Sequence, residues 1–317
     1  MRILVALLAV VLVLGGVVVW QNSYDMDAET VSIGRLHGVL TTPRDGRERH
    51  GLVVVVHGDG PVNATHDDGY QPIWEAFAQA GYATLSWDKP EDWLGQSMDD
   101  RADEVTSAIA WARARPDVDP RRVGLWGSSQ AGWVLPKVAA KTPVAFVIAV
   151  SPAINWLQQG RYNLLAELRA EGASPDRIER EIAKSDTVRR LLREKASYAD
   201  YVKTVGRATA MTAERWSFVA KNHTSDATED LRALREIPVL LALGDHDLNV
   251  DTADTETVYR RELARLTVRR YADAAHSMVK HSIESSEPRL TLTAFFAPRS
   301  LFADGYLADQ RRFLGSR

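Results

Sequence analysis

Ser129 lies in Val123-Gly124-Leu125-Trp126-Gly127-Ser128-Ser129-Gln130-Ala131-Gly132, where an apolar strand pattern runs straight into small residues and then a helical pattern. A serine in a sharp strand-to-helix turn has its oxygen lifted above the sheet, and the flanking positions must be small so that strand and helix can approach. Gly127 supplies the first small position. The second is Ala131, one methyl group larger than a strict G-x-S-x-G pattern asks for, and Gly132 follows to relieve the crowding. Glycine-serine turns also bind phosphate or arise by chance, so the hydroxyl needs partners before it means a nucleophile.

Three further segments supply them. His57-Gly58-Asp59-Gly60-Pro61 follows the apolar run Leu52–Val56, and its glycines let backbone amides turn into a cleft. An oxyanion hole needs such preorganised donors. The backbone N–H groups of Asp59 and Gln130 are the candidates, while His57 reads as a structural hydrogen-bonding residue. Gly244-Asp245-His246-Asp247 ends another apolar run, Val239–Leu243, and offers a carboxylate to orient an imidazole. Asp247 has the best position, with Asp245 and Asp251 as stand-ins. Adjacent side chains on an extended segment point in opposing directions, which argues against Asp245, His246 and Asp247 as a metal cluster. Ala272-Asp273-Ala274-Ala275-His276 follows the last strand pattern and brings His276 as general base, with His281 as the nearby rival. His37, His50, His66 and His223 have no supporting pattern. The chemistry these residues suit is nucleophilic attack on a carbonyl, with no cofactor and no metal.

The elements that position them alternate. Residues from about Thr30 to Pro43 suggest a pair of short strands, and strands follow at Leu52–Val56, Tyr82–Trp87, Val123–Trp126, Val144–Val150, Val239–Leu243 and Val268–Tyr271. Helical patterns separate them at Ile73–Ala80, Arg101–Arg115 (closed by Pro116), from about Gln130, and around Thr255–Leu266. Repeated β-α-β order implies a parallel sheet with helices on both faces, whose ligands bind beyond the carboxyl ends of the strands. Every polar segment above sits at such an end. Between Pro152 and Glu236 the rhythm breaks into helical patterns, including a start at Ser174-Pro175. This gives core segments 30–152 and 237–317 and an insertion, 153–236, expected to lie over the site as a helical lid. Trp133, together with Trp156, Tyr162 and Trp216 of the insertion, is a candidate lining for an acyl pocket.

The bulk numbers fit one folded chain: 317 residues, 45% hydrophobic and 26% charged. A net charge of −3 with interleaved acids and bases excludes the clustered basic surface that nucleic acid requires. The absence of cysteine removes thiol nucleophiles, disulfides and thiolate metal sites together. Arg2 precedes an apolar run from Ile3 to Trp20, long enough at about 1.5 Å per residue to approach the bilayer core of about 30 Å. Residues 1–22 therefore read as a signal anchor, with a cleaved signal peptide as the alternative. Arg2 before the run and Asp25, Asp27 and Glu29 after it put the catalytic body outside the cytoplasm, tethered through residues 3–20.

These segments together resemble the α/β-hydrolase superfamily. Within it the chain is most similar to bacterial dienelactone-hydrolase and acylaminoacyl-peptidase-like members, which share an H-G-x-G-P loop and a G-x-S-Q-A-G-W or G-x-S-Q-G-G elbow. The resemblance runs from about Leu52 to His276. It takes in Asp88-Lys89-Pro90, which looks like a D-K-R/P turn, and Gly244–Asp247, which looks like a G-x-x-D acid loop. The order Ser129, Asp247, His276 is that of the fold. The resemblance implies hydrolysis through an acyl-enzyme without cofactor, on a small-molecule ester or related acyl substrate. A peptidase is the nearest alternative, although the chain is too short to carry the β-propeller of large oligopeptidases. A non-catalytic binding protein on the same scaffold is the alternative from another class, disfavoured because Ser129, Asp247 and His276 are all present. The insertion shares no motif with the family.

Overall fold

Eight strands form one sheet in the order β1-β2-β4-β3-β5-β6-β7-β8. In the computed structural model, which describes residues 15–317, these are β1 Met26–Ile33, β2 Leu36–Pro43, β3 His50–Val56, β4 Tyr82–Trp87, β5 Val118–Ser128, β6 Val147–Val150, β7 Val239–Gly244 and β8 Leu266–Tyr271. β1 and β2 form an antiparallel hairpin, β2 runs antiparallel to β4, and every later pairing is parallel. The chain leaves β3 toward β4 on one side and returns through β5 on the other. That reversal opens a crevice at the carboxyl ends of β3 and β5, the place where such sheets hold ligands.

The β-branched run of β3 explains its central place, because all seven of its residues are buried. Leu52, Val54 and Val56 face one hydrophobic cluster while Val53 and Val55 face the other. The first cluster is covered by the helices Met98–Arg113, Leu135–Lys141 and Thr252–Glu262, the second by Gln71–Ala78 and Tyr306–Gly315. The helix Met98–Arg113 starts three residues earlier than its apolar face alone suggests. Ser97 and Asp100 close a reciprocal capping box there, satisfying backbone donors of the first turn.

Two regions differ from the sequence pattern. The turn after Ser128 first makes a 3-10 helix, Ser129–Trp133, and becomes α-helical only at Leu135. The tight packing of Gly127 on Ala131 and of Gly132 on Ala153 favours the narrower winding. Beyond Met278, where periodicity assigns no element, the chain forms helices His281–Glu284, Glu287–Phe296 and Tyr306–Gly315. The last is tied to the sheet by Trp126 Nε1 donating to Gln310 Oε1 at 2.9 Å.

Between β6 and β7 lie four helices, Trp156–Ala170, Pro175–Arg193, Tyr198–Val205 and Ala213–Asn222. They carry a small core of their own, Leu191, Leu192, Tyr201, Trp216 and Val219. The apolar run beginning at Ile3 falls largely outside the described residues. Residues 15–21 are helical, and among the described residues no helix is long and apolar enough to cross a membrane.

Candidate active site

Ser129 adopts φ +56°, in the left-handed region that costs a non-glycine residue energy. The turn is forced by packing: a Cβ on Gly127 would stand 2.7 Å from the Ala131 Cβ, and one on Gly132 would stand 2.5 Å from the Ala153 carbonyl oxygen. The extra methyl of Ala131 is therefore accommodated because Gly127 is bare. The Ser129 carbonyl accepts from Ala153 N–H at 3.1 Å, which pins the turn to the strand beside it.

At the ends of β7 and β8, the Nδ1–H of His276 donates to Asp247 Oδ2 at 2.8 Å. The other Asp247 oxygen accepts the backbone N–H groups of Asn249 and Val250 at 2.8 and 2.9 Å. The carboxylate side chain is fully buried, so three donors fix it in a site of low dielectric. This arrangement sets the imidazole tautomer and leaves Nε2 free to accept a proton. Asp245 instead pairs with Arg270 on the surface, Asp251 caps the helix Thr252–Glu262, and His281 stacks on His246 at 4.1 Å between ring centres. The rivals considered from sequence are thus occupied elsewhere.

Ser129 and His276 face one cavity of about 350 Å³. Its apolar wall comes from Ile73, Trp126, Val150, Val279, Leu301 and Phe302, with Tyr70, His66 and Asn249 adding polar groups. Trp133, Trp156, Tyr162 and Trp216 do not line it, contrary to the sequence expectation. Trp133 stacks on Trp156 at 4.8 Å and Trp216 on Tyr201 at 4.0 Å, because large aromatics in the insertion are needed for its own core and its seat on the sheet. Tyr162 donates to the Asp247 carbonyl at 3.0 Å. Leu301 and Phe302 had no periodic signal to mark them, being parts of short irregular segments.

The loop His57–Gly60 approaches the serine closely: a Cβ on Gly58 would touch the Ser129 Cβ at 3.4 Å, and Gly60 takes φ +90°. The backbone N–H groups of Asp59 and Gln130 donate to no other group of the described chain. Around them stand three basic side chains. Arg101, buried, donates to Gln130 Oε1 and to the His57 carbonyl, both at 2.6 Å. Lys89 donates to the carbonyls of Gly58 and Gly60 at 2.5 and 3.0 Å. Arg215, from the insertion, grips Asp59 with two hydrogen bonds of 2.9 and 2.5 Å.

The electrostatics follow from burial. Burial pushes Arg101 down to about 10, which leaves it charged near neutrality, and pushes Lys89 down to about 6, with the Arg101 charge adding to the effect. The same burial that weakens the ammonium form leaves Lys89 with two backbone carbonyls as its acceptors. Partial burial raises the Asp59 carboxyl, but the Arg215 hydrogen bonds and charge outweigh it and hold Asp59 below the usual carboxylate range. His57 is driven to about 3 by burial and stays neutral, its Nε2–H donating to the Trp87 carbonyl at 2.8 Å. Its role is to brace the start of the loop on β4.

A mostly parallel sheet with these loops at the carboxyl ends of its strands defines an α/β hydrolase. The chain belongs to the α/β-hydrolase family described as serine aminopeptidase, S33, whose model matches residues 47–282. Two proteins of Escherichia coli, each described as "Uncharacterized 31.7 kDa protein in traX-finO intergenic region", are 29% identical over 106 residues. That match covers 30% of this chain and 35% of theirs, so the chain aligns with only about a third of their length. Among solved structures, the hyperthermophilic esterase of Pyrobaculum calidifontis is 17% identical with a TM-score of 0.54, covering 96% of this chain and 87% of that one. The Pyrococcus furiosus esterase Pf2001 is 14% identical at TM-score 0.52, covering 86% and 90%. Est1E from Butyrivibrio proteoclasticus is 15% identical at 0.53, covering 84% and 97%. Likeness at such identity shows the shared fold.

Proposed function

We propose that this hydrolase cleaves a carboxylic ester through an acyl-serine intermediate. The observation that carries the proposal is the convergence on one cavity of Ser129, held at positive φ, and His276, oriented by a buried and triply bonded Asp247. Ser129 Oγ attacks the ester carbonyl while His276 Nε2 takes its proton. The backbone N–H groups of Asp59 and Gln130 stabilise the oxyanion, and His276 returns the proton to the departing alcohol. Water, deprotonated by the same imidazole, then releases the acid and restores the serine. The apolar wall from Ile73 to Phe302 receives the acyl or alcohol group. No cofactor takes part in any of these steps.

The family's peptidase description favours a second reading, amide hydrolysis at a peptide amino terminus. An aminopeptidase must hold a substrate ammonium, which calls for a free carboxylate. Asp59 is the acidic side chain on the cavity wall, and Arg215 already neutralises it. The ester reading is preferred on that ground. The insertion, residues 153–236, acts as a lid: it reaches the acid loop through Tyr162, Gln159 and Asn163, and the Asp59 loop through Arg215. Residues 3–20 anchor the protein in the cell membrane, with the catalytic body on the extracytoplasmic side.

Fluorophosphonate labelling of the wild type and of Ser129→Ala tests the nucleophile directly. Labelling should require Ser129, and Ser129→Ala should lower turnover of p-nitrophenyl esters by about 10⁴-fold or more while the melting temperature holds. Wild-type labelling that persists in the alanine variant would remove Ser129 from the mechanism. Comparing a p-nitrophenyl ester series with aminoacyl p-nitroanilides separates the ester from the aminopeptidase reading.

A further inference from the structure

The helix Glu287–Phe296 has no buried residue, yet it carries Leu290, Leu292, Phe295 and Phe296. Leu292, Phe295 and Phe296 stand at i, i+3 and i+4, hence on one face, and are 58%, 66% and 48% exposed. A water-facing helix ordinarily turns polar side chains outward. Eight large apolar side chains are exposed among the described residues. Three are on this face and three more are Val17, Val19 and Trp20, at the end of the apolar amino-terminal run. The other two, Tyr198 and Leu248, belong to other elements.

The two apolar groups are fixed beside each other. Asn22 Nδ2 donates to the Phe295 carbonyl at 3.1 Å. Arg299, three residues past the helix, donates to the carbonyls of Trp20 and Ser23 at 2.5 and 2.8 Å, and its backbone N–H reaches Gln21 Oε1 at 3.3 Å. Its guanidinium also pairs with Glu75 at 2.6 Å and lies over the rings of Trp20 and Tyr24 at 4.8 and 4.7 Å. The Arg299–Glu75 pair is largely buried, so the joint between the amino-terminal helix and the body is a built one and not a loose tether.

We propose that the face of Leu292, Phe295 and Phe296 docks on the lipid bilayer beside the anchor, and that the active site is thereby set against lipid-borne esters. The proposal rests on the anchor reading above. The occupant is lipid because the apolar sequence continues from Trp20 back to Ile3, so whatever solvates that run also meets the face clamped beside it. Tryptophan at the end of such a run suits the membrane–water interface. The geometry also points toward the substrate. A second cavity, of about 380 Å³, lies between Asn22, Tyr24, Ala294 and Pro298, and shares the walls Gly69 and Leu301 with the active-site cavity. The helix that bears the apolar face therefore lines, through Ala294, a cavity that adjoins the one holding Ser129.

The absence of native cysteine makes the test clean. Phe295→Cys and, as a control at the amino end of β5, Arg121→Cys are labelled in the full chain with an environment-sensitive nitrobenzoxadiazole dye. Both are reconstituted into phosphatidylcholine–phosphatidylglycerol vesicles with or without doxyl-lipid quencher. Docking predicts a blue-shifted emission at position 295, quenched by doxyl lipid about three-fold or more, with position 121 unaffected. In parallel, the triple substitution Leu292→Ser, Phe295→Ser and Phe296→Ser should cut hydrolysis of a vesicle-borne long-chain umbelliferyl ester about ten-fold. Soluble p-nitrophenyl acetate turnover and fluorophosphonate labelling should not change. Vesicle-bound protein without quenching at 295 overturns docking alone, as does a blue shift without lipid quenching, which would mean cover by protein. Failure of the wild type to float with vesicles overturns the anchor and the docking together. Absence of fluorophosphonate labelling in the wild type, with quenching at 295 intact, would sink the serine-hydrolase reading and leave docking standing.

Discussion

The two sides of the candidate active site are built in different ways. On one side, Asp247 and His276 are fixed by their own loops, with backbone donors two and three residues away and a single imidazole bond across. On the other, the loop from His57 to Gly60 is held by side chains far away in sequence: Lys89 from the end of β4, Arg101 from a core helix and Arg215 from the insertion. Local backbone donors hold the Asp247 carboxylate itself, while the insertion touches only the backbone of that loop, through Tyr162, Gln159 and Asn163. Distributed support lets the insertion act on the oxyanion side, through one bidentate ion pair whose geometry a lysine cannot reproduce.

The contrast can be broken at four points. Asp247→Asn should cost about 10⁴-fold in kcat, since the amide favours the wrong imidazole tautomer, with little change in fluorophosphonate-independent stability measured by thermal melting. Arg101→Met should lower kcat about 10²-fold by releasing both Gln130 and the His57 carbonyl, and should reduce affinity for a boronic-acid transition-state analogue in parallel. Substrate KM should move little; a change confined to KM would show that Arg101 does not position the oxyanion donors. Arg215→Gln should lower kcat about ten-fold, Arg215→Lys should restore only part of it, and analogue affinity should again follow kcat. Equal rates in all three proteins would make the Asp59 clamp irrelevant to turnover.

The smallest effect concerns pH. His57 is held near 3 in the folded chain, whereas an unfolded histidine titrates near its ordinary value of about 6.5. Between those limits the unfolded state binds the extra proton, so stability is full above about 6.5 and falls as pH drops toward 3. His57→Gln keeps a donor for the Trp87 carbonyl and should flatten that part of the acid slope in thermal melts from pH 7 to pH 4. An unchanged slope would assign the acid sensitivity to other groups.

The same division governs how much could be read in advance. β3, β7 and the turn at Ser129 announce themselves, because short apolar runs closed by glycine leave few alternatives to a buried parallel strand and its loop. Position alone favours Asp247 over Asp245, and the two differ in the fold: Asp247 accepts the amides of Asn249 and Val250, whereas Asp245 pairs with Arg270 on the surface. Arg101 carried no such signal. It looks like any charged residue on an amphipathic helix until its guanidinium is found inside. Trp156 and Trp216 misled for the opposite reason, since aromatic residues suit a pocket wall and a helix–helix core equally well.

By itself the amino-acid sequence determined the strands that carry the candidate residues, with Ser129, Asp247 and His276 each beyond the carboxyl end of its strand. Strand periodicity and glycine turns are local properties, and local properties survive in a linear pattern. Only the tertiary structure decided what surrounds that chemistry: Leu301 and Phe302 closing the cavity, three basic side chains bracing one loop, and Arg299 joining the amino-terminal helix to the body. Those contacts link residues distant along the chain, and their energies depend on burial and facing partners that no local pattern specifies.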